Sequence, residues 1–289
     1  MVTVRLKGGL GNQMFQYALG RVLAIKNDTQ LKLDTSFLKY NFKNITKRTY
    51  GLDIFHIHAE IDQDPSIPFV FKDYGNKSLM YLMRWIRKFL KIKGQEKSFN
   101  FNSSILNSGP NIYLDGYWQS PKYFKGYEDV IRKDFTFKNS PASNIQILAE
   151  EILKTNSLGI HIRRCDYVGN KNRDFLNKEY WNRGIEYIKS HTQIDKIYVF
   201  SDDIAWCESN MKFEFPTIFV GEDYIGHKDE GHMYLMNQCK NFIIANSSFS
   251  WWGAWLSDRD RKIVICPKQW FGNATIDTSD LIPENWIRI

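Results

Sequence analysis

With 289 residues at 34.1 kDa, 43% of them apolar and 25% charged, the chain has the make-up of a globular protein of about two domains, which excludes collagen, coiled coil and extended disorder. Its 39 Lys+Arg against 32 Asp+Glu give a formal charge of +7 and a pI near 9.0, an excess that raises nucleic acid, a membrane surface or an anionic small molecule as the partner. The charge is local, however: residues 72–97 carry Lys72, Lys77, Arg84, Arg87, Lys88, Lys91, Lys93 and Lys97 against Asp73 and Glu96, and the remainder is close to neutral. A nucleic-acid binder spreads its cations along a groove, so no nucleic-acid partner is expected.

The chain opens with an alternating apolar run over residues 2–6, then Gly8-Gly9-Leu10-Gly11, a helical pattern over 12–26 and a strand over 31–33, which together predict a βαβ start. Residues 36–110 are broken into short pieces by Pro65, Pro68, Gly75, Gly94 and Pro110. Within them Leu79, Leu82, Met83, Ile86, Phe89 and Leu90 recur at helical spacing, with Arg84, Arg87, Lys88 and Lys91 on the other side. Such a basic amphipathic helix over 77–93 either packs its apolar stripe on its own domain or lies on an anionic membrane surface.

A further strand ends in Asp115-Gly116-Tyr117-Trp118-Gln119, and the polar, proline-containing stretch over 138–144 predicts a boundary between domains at 1–140 and 141–289. Beyond it, helices over 144–154, 178–190, 230–238 and 249–257 alternate with strands over 158–162, 196–200, 217–220, 242–245 and 262–265. That alternation predicts parallel sheets covered on both faces, hence an α/β chain of two Rossmann-like domains facing a central crevice, where ligands of open sheets bind.

No segment reaches the roughly 18 unbroken apolar residues of a spanning helix, and neither signal peptide nor anchor is expected. Cys165, Cys207, Cys239 and Cys266 form no CxxC pair, so reduced thiols are expected. The predicted compartment is the cytoplasm, at the inner membrane face if the basic helix meets lipid.

Four segments carry chemistry. Gly8-Gly9-Leu10-Gly11-Asn12-Gln13 lets backbone approach an anion at a helix N-terminus; it is neither GxGxxG nor a P-loop, and a structural turn is the competing reading. In His161-Ile162-Arg163-Arg164-Cys165-Asp166, strand alternation puts His161 and Arg163 on one face, and a guanidinium pair at a strand end suits a pyrophosphate, unless Asp166 simply pairs with an arginine. Asp202 and Asp203 after Phe200 could bind a base or ribose, ligate a cation or cap the next helix. Asn246-Ser247-Ser248-Phe249 is both an N-cap signature and a phosphate cradle, while Trp251, Trp252 and Trp255 belong to the core or shape a sugar pocket. His227 and His232 around Asp229 and Glu230 lack a third metal ligand and read as the start of a helix.

These segments, with Gly116-Tyr117-Trp118-Gln119-Ser120, resemble glycosyltransferase family 11, the inverting α-1,2-fucosyltransferases, over about residues 4–270. One position departs: Cys165 stands where that family usually has glycine. The resemblance implies a GT-B-like fold and galactoside α-1,2-fucosyltransferase activity. L-fucose would pass from GDP-β-L-fucose, bound by the C-terminal domain, to the 2-hydroxyl of a terminal β-galactoside at the N-terminal one. No cofactor and no divalent metal are implied.

By the same resemblance the donor site comprises Asn12, Gln13, Arg163, Arg164, Asp166, Asp202, Asp203, Asn246, Ser247, Ser248 and Phe249. Trp118 and Gln119 would lie on the acceptor side, and Arg163, His161 and Asp115 would be catalytic, with Asp34 a second candidate base. Arg163→Ala is expected to abolish transfer with the fold intact. A metal-dependent transferase using Asp202-Asp203, a fucosyl or other sugar transferase of different linkage, and a non-catalytic nucleotide- or carbohydrate-binding protein are the alternatives.

Overall fold

In the computed structural model, which describes residues 1–39, 46–62, 77–89, 94–228 and 230–289, the apolar alternation at the N-terminus forms β1 (Val2–Arg5). There follow α1 (Leu10–Lys26), β2 (Leu31–Asp34), the one-turn α2 (Ser36–Lys39), β3 (Glu60–Asp62), α3 (Lys77–Phe89), β4 (Ile112–Leu114) and α4 (Glu128–Asp134). The four strands pair in parallel in the order β3-β2-β1-β4. α1 is buried almost all round. Gly20 is required in it, because a Cβ there would stand 2.4 Å from Val4 Cγ2 of β1.

The remaining elements are α5 (Ser143–Leu153), β5 (Ser157–Ile162), α6 (Lys178–Lys189), β6 (Lys196–Ser201), α7 (Ile204–Asn210), β7 (Thr217–Val220), α8 (Glu230–Gln238), β8 (Asn241–Ile243), α9 (Ser248–Leu256), β9 (Val264–Cys266) and β10 (Ile287–Arg288). Their strands form a wholly parallel sheet, β10-β9-β8-β5-β6-β7. Ile160, Ile162, Val199, Ile243 and Ile265 pack with Trp181, Ile185 and Ile188 of α6. Trp251 and Trp252 are fully buried and Trp255 is 8% exposed, so all three tryptophans of α9 belong to the core.

The chain divides into one unit of Met1–Thr136 with Ser279–Leu281 and a second of Phe137–Thr278 with Ile282–Ile289. In each, strand order reverses about the first strand: β1 lies between β2 and β4, and β5 between β6 and β8. The second sheet, numbered from β5, has the dinucleotide-fold order 3-2-1-4-5-6, whose ligands bind at the carboxyl ends of the two strands flanking the switch. Those ends carry Arg163 and Asn246 in the second unit, and Lys7 and Asp115 in the first.

The basic helix forms as α3, but Leu82 is 47% exposed beside Tyr81 and Trp85 at 70% and 60%, while Leu79, Met83 and Ile86 are half-buried. The apolar stripe is thus divided between a protein-facing and a solvent-facing edge. Residues 63–76 and 90–93, which hold Lys72, Asp73, Leu90, Lys91 and Lys93, lie outside the described residues.

Candidate active site

β5 is six residues of fully buried strand, and the chain leaves it at Arg163. There the guanidinium meets Asp166, with Nη2 at 2.8 Å and Nε at 2.9 Å from Oδ1, and Asp202 Oδ2 lies 3.2 Å from Nε as an ion pair without hydrogen-bond geometry. Burial works against the Arg163 cation, but Asp202 and Asp166 outweigh it and hold its pKa above the ordinary value. Arg164 donates its backbone N–H to Asp202 Oδ1 at 2.8 Å and its Nε to Asp203 Oδ2 at 3.1 Å, and its guanidinium carbon lies 3.6 Å from the centre of the Trp206 ring. Asp203 Oδ1 also accepts from Trp206 N at 3.3 Å as the N-cap of α7.

Asp202 and Asp203 therefore orient the arginine pair, and Asp203 caps α7, one of the roles the sequence left open to them. Cys165 is exposed and donates to Asp202 O at 2.9 Å. Its φ is not among the positive values found for non-glycine residues, so the turn accommodates a side chain where the family has glycine, and Asp166 still reaches Arg163.

His161 is 4% exposed within β5, its ring 5.9 Å from that of Phe249 and its Nδ1 without a hydrogen-bond partner. Burial first, then Arg163 and His232, lower its pKa from 6.5 to about 3. The structure thus places His161 inside the sheet as a neutral ring. Because the unfolded chain binds this proton more readily, stability is full above pH about 6.5 and falls as pH drops toward 3. His161→Gln should flatten that slope in denaturant titrations between about pH 7 and pH 4; an unchanged slope would refute it.

At the end of β8, Asn246 is buried and turned inward: its Nδ2 donates to Arg173 O and Trp270 O, both at 3.2 Å, and its carbonyl accepts from Tyr167 Oη at 2.9 Å. Side chain and backbone carbonyl of Asn246 thus tie three loops together. Ser247 takes the N-cap position of α9 with extended backbone, and its side chain makes no capping bond. Ser248 and Phe249 begin the helix, half-exposed. A cavity of about 260 Å³ opens beside Arg163 and Asn246, toward the start of α6, lined also by Arg164, Arg173, Asn177, Lys178, Trp181 and Trp206. Arg173 and Lys178 were not singled out in the sequence, since an isolated cation in a polar loop carries no pattern.

In the first unit, Gly8 has φ +79°, and a Cβ there would fall 2.3 Å from Asn12 Nδ2. Asn12 Oδ1 accepts from Gln119 Nε2 at 2.6 Å. Gln13, fully buried, donates to Gly8 O at 3.0 Å and Thr49 O at 2.8 Å and accepts from Gly51 N at 3.0 Å. Gln13 is thus a staple of the fold. Gln16, one turn on, likewise bridges Lys7 and Gly116.

Asp115 pairs with Lys7 at 2.8 Å and Arg5 at 3.6 Å and is 12% exposed. Asp34 is fully buried, accepting from Tyr113 Oη and from Ser36 N, which makes it a turn residue out of reach of an acceptor. Trp118, at φ 55°, is 2% exposed with its ring edge-on to Tyr123 at 5.7 Å, and Gln119 is 7% exposed. Trp118 is core and Gln119 holds Asn12. Glu96, unmarked in the sequence, shapes this turn by accepting from Tyr117 N at 2.7 Å and Trp118 N at 2.9 Å.

His232 Nε2 lies 3.0 Å from Gly221 O, and His227 N donates to Glu230, a helix start as expected; Asp229 lies outside the described residues. No group of three or more His, Cys, Asp or Glu arranged to hold a metal ion occurs among the described residues.

Two parallel-sheet units, with an arginine pair at one switch point, fit a GT-B-like fold. The model of Glycosyl transferase family 11 matches residues 1–289. The chain belongs to that family. It is 34% identical to an Escherichia coli alpha-1,2-colitosyltransferase, covering 100% of this chain and 99% of that one. It is 31% identical to the O-antigen biosynthesis glycosyltransferase WbnK of the same organism, over 98% and 99%. In fold it is similar to the fucosyltransferase NodZ from Bradyrhizobium, with a TM-score of 0.53 at 15% identity over 91% of this chain and 94% of that one.

Proposed function

We propose that the chain transfers L-fucose from GDP-β-L-fucose to the 2-hydroxyl of a terminal β-galactoside with inversion, the second unit holding the donor and the first the acceptor. The observation that carries it is the placement of Arg163 and Arg164 where β5 ends, next to β8, the strand that leads into α9. As the C1–O bond lengthens, charge collects on the departing diphosphate, and fixed guanidiniums and helix N–H groups stabilise it there without reorganisation. The linkage reading is supported by the names of relatives, an alpha-1,2-colitosyltransferase and the galactoside 2-alpha-L-fucosyltransferase Sec1 of Mus musculus, 23% identical over 90% of this chain.

The site works without a divalent cation in this reading, because Asp202 and Asp203, the adjacent carboxylates a metal-dependent enzyme would use, are held by Arg163, Arg164 and Trp206 N. Of the two candidate bases, Asp115 retains solvent contact and Asp34 does not, so Asp115 is assigned removal of the acceptor proton. Asp115→Asn with undiminished kcat would remove it from that role. The test of the whole reading is incubation with GDP-fucose in EDTA, with lactose, N-acetyllactosamine and type 1 chain acceptors, and determination of the product linkage. An α-1,2 product supports it; no transfer, or transfer only with added metal, overturns it.

Two further readings have their own observations. The 34% identity to a colitosyltransferase favours GDP-linked colitose, the 3-deoxy counterpart of fucose, as an alternative donor, and a competition assay of the two donors decides between them. The exposed Tyr81, Leu82 and Trp85 of α3, beside a cation-rich sequence, suit the interfacial region of an anionic membrane. Equal sedimentation with neutral and anionic vesicles would count against that surface and against a place at the inner membrane face.

A further inference from the structure

If the second unit holds a nucleoside diphosphate, as proposed above, charge at its switch point leaves a need that the Arg163–Arg164 pair does not meet. Both guanidiniums are already matched by carboxylates: Arg163 by Asp166 at 2.8 Å and Asp202 at 3.2 Å, Arg164 by Asp203 at 3.1 Å. A diphosphate brings several further negative charges, and a polar environment that stabilises a leaving group must supply uncommitted donors.

We infer that Arg173 supplies one, as a further donor-binding residue that takes diphosphate oxygens. It lines the same cavity as Arg163 and Arg164. Its side chain is 46% exposed, against 20% and 22% for those two, and its ion pair with Asp166 is long, at 3.9 Å. Its guanidinium carbon lies 5.3 Å from the centre of the Tyr167 ring, which also receives Arg163 at 5.7 Å. One tyrosine and one aspartate thus hold both cations in register.

The loop beneath is fixed before any ligand arrives. Gly169 N donates to Asp174 Oδ2 at 2.9 Å and Gly272 N to Asn172 O at 2.8 Å, while Asn246 Nδ2 holds the carbonyl of Arg173 itself at 3.2 Å. The inward turn of Asn246 acquires a purpose on this account. It is a positioning residue that ties the loop of Arg173 to the end of β8.

The experiment is calorimetric titration of GDP and of guanosine into the wild-type chain, Arg173→Ala, Arg173→Lys and, as control, Arg163→Lys. An arginine–phosphate bond is expected to be worth about ten- to a hundredfold in Kd. Arg173→Ala should weaken GDP by that factor and leave guanosine unchanged, with Arg173→Lys between. GDP affinity within about twofold of wild type in Arg173→Ala, while Arg163→Lys loses it, overturns the assignment to Arg173 alone. Equal loss for GDP and guanosine overturns the diphosphate contact. Failure of the wild-type chain to bind GDP overturns the donor reading on which the inference rests.

Discussion

Arg163→Lys is expected to lower transfer from GDP-fucose by about 10²- to 10³-fold, the usual loss when one preorganised donor to developing negative charge is removed, with thermal unfolding close to that of the wild type. Lysine keeps the charge that Asp166 and Asp202 require but loses the planar fork that meets two partners at once. Arg163→Ala is the less informative variant. It strands two carboxylates that are 17% and 20% exposed, and breaking such a pair from one side costs about 3–5 kcal/mol. The alanine variant is therefore expected to lose stability as well as turnover. Kinetics and unfolding of both variants separate the roles: wild-type turnover in Arg163→Lys would remove this residue from the donor site.

Gln13→Leu is expected to destabilise the first unit without changing affinity for GDP. Gly51 N, in a buried bond, would lose its partner at about 1–3 kcal/mol, while Gly8 O and Thr49 O, in part-buried bonds, can turn to water. Denaturant unfolding should therefore show a loss of about 1–3 kcal/mol, while calorimetry with GDP shows none. A variant of wild-type stability with weakened GDP binding would return Gln13 to the donor site and contradict its role as a staple.

Local signals carried most of the architecture. The strand and helix runs of the second half lie within a few residues of where periodicity puts them; helix 230–238 and strand 217–220 coincide with α8 and β7. What periodicity missed was short: the two residues of β10, the three of β3, and α4 and α7 of seven residues each. Such elements span two turns or fewer, too little for a repeat to register.

The motifs located the site, but their neighbours decided what each residue does. Asn12 and Gln13 look alike as adjacent amides, yet Gln13 shares a helical face with Gln16, Tyr17 and Gly20, all buried, and that spacing was legible. For Asp202 and Asp203 only the helix cap was legible; their pairing with the arginines was not, because those partners lie 38 and 39 residues away. Nor did Trp118, whose left-handed backbone depends on Glu96, 22 residues earlier in sequence. Net charge said least: Arg163, Arg164 and Arg173 are three of 39 cations, and they lie outside the basic stretch that sets the pI.

The central claim, that a nucleoside diphosphate sits where β5 and β8 diverge, is tested most directly by amide hydrogen exchange with and without GDP in EDTA. Slowed exchange is predicted in the first turn of α9, at Ser248–Ser250, and in residues 163–167, with the first unit unchanged. Protection at the Gly8–Gln13 turn with none at α9 would contradict it.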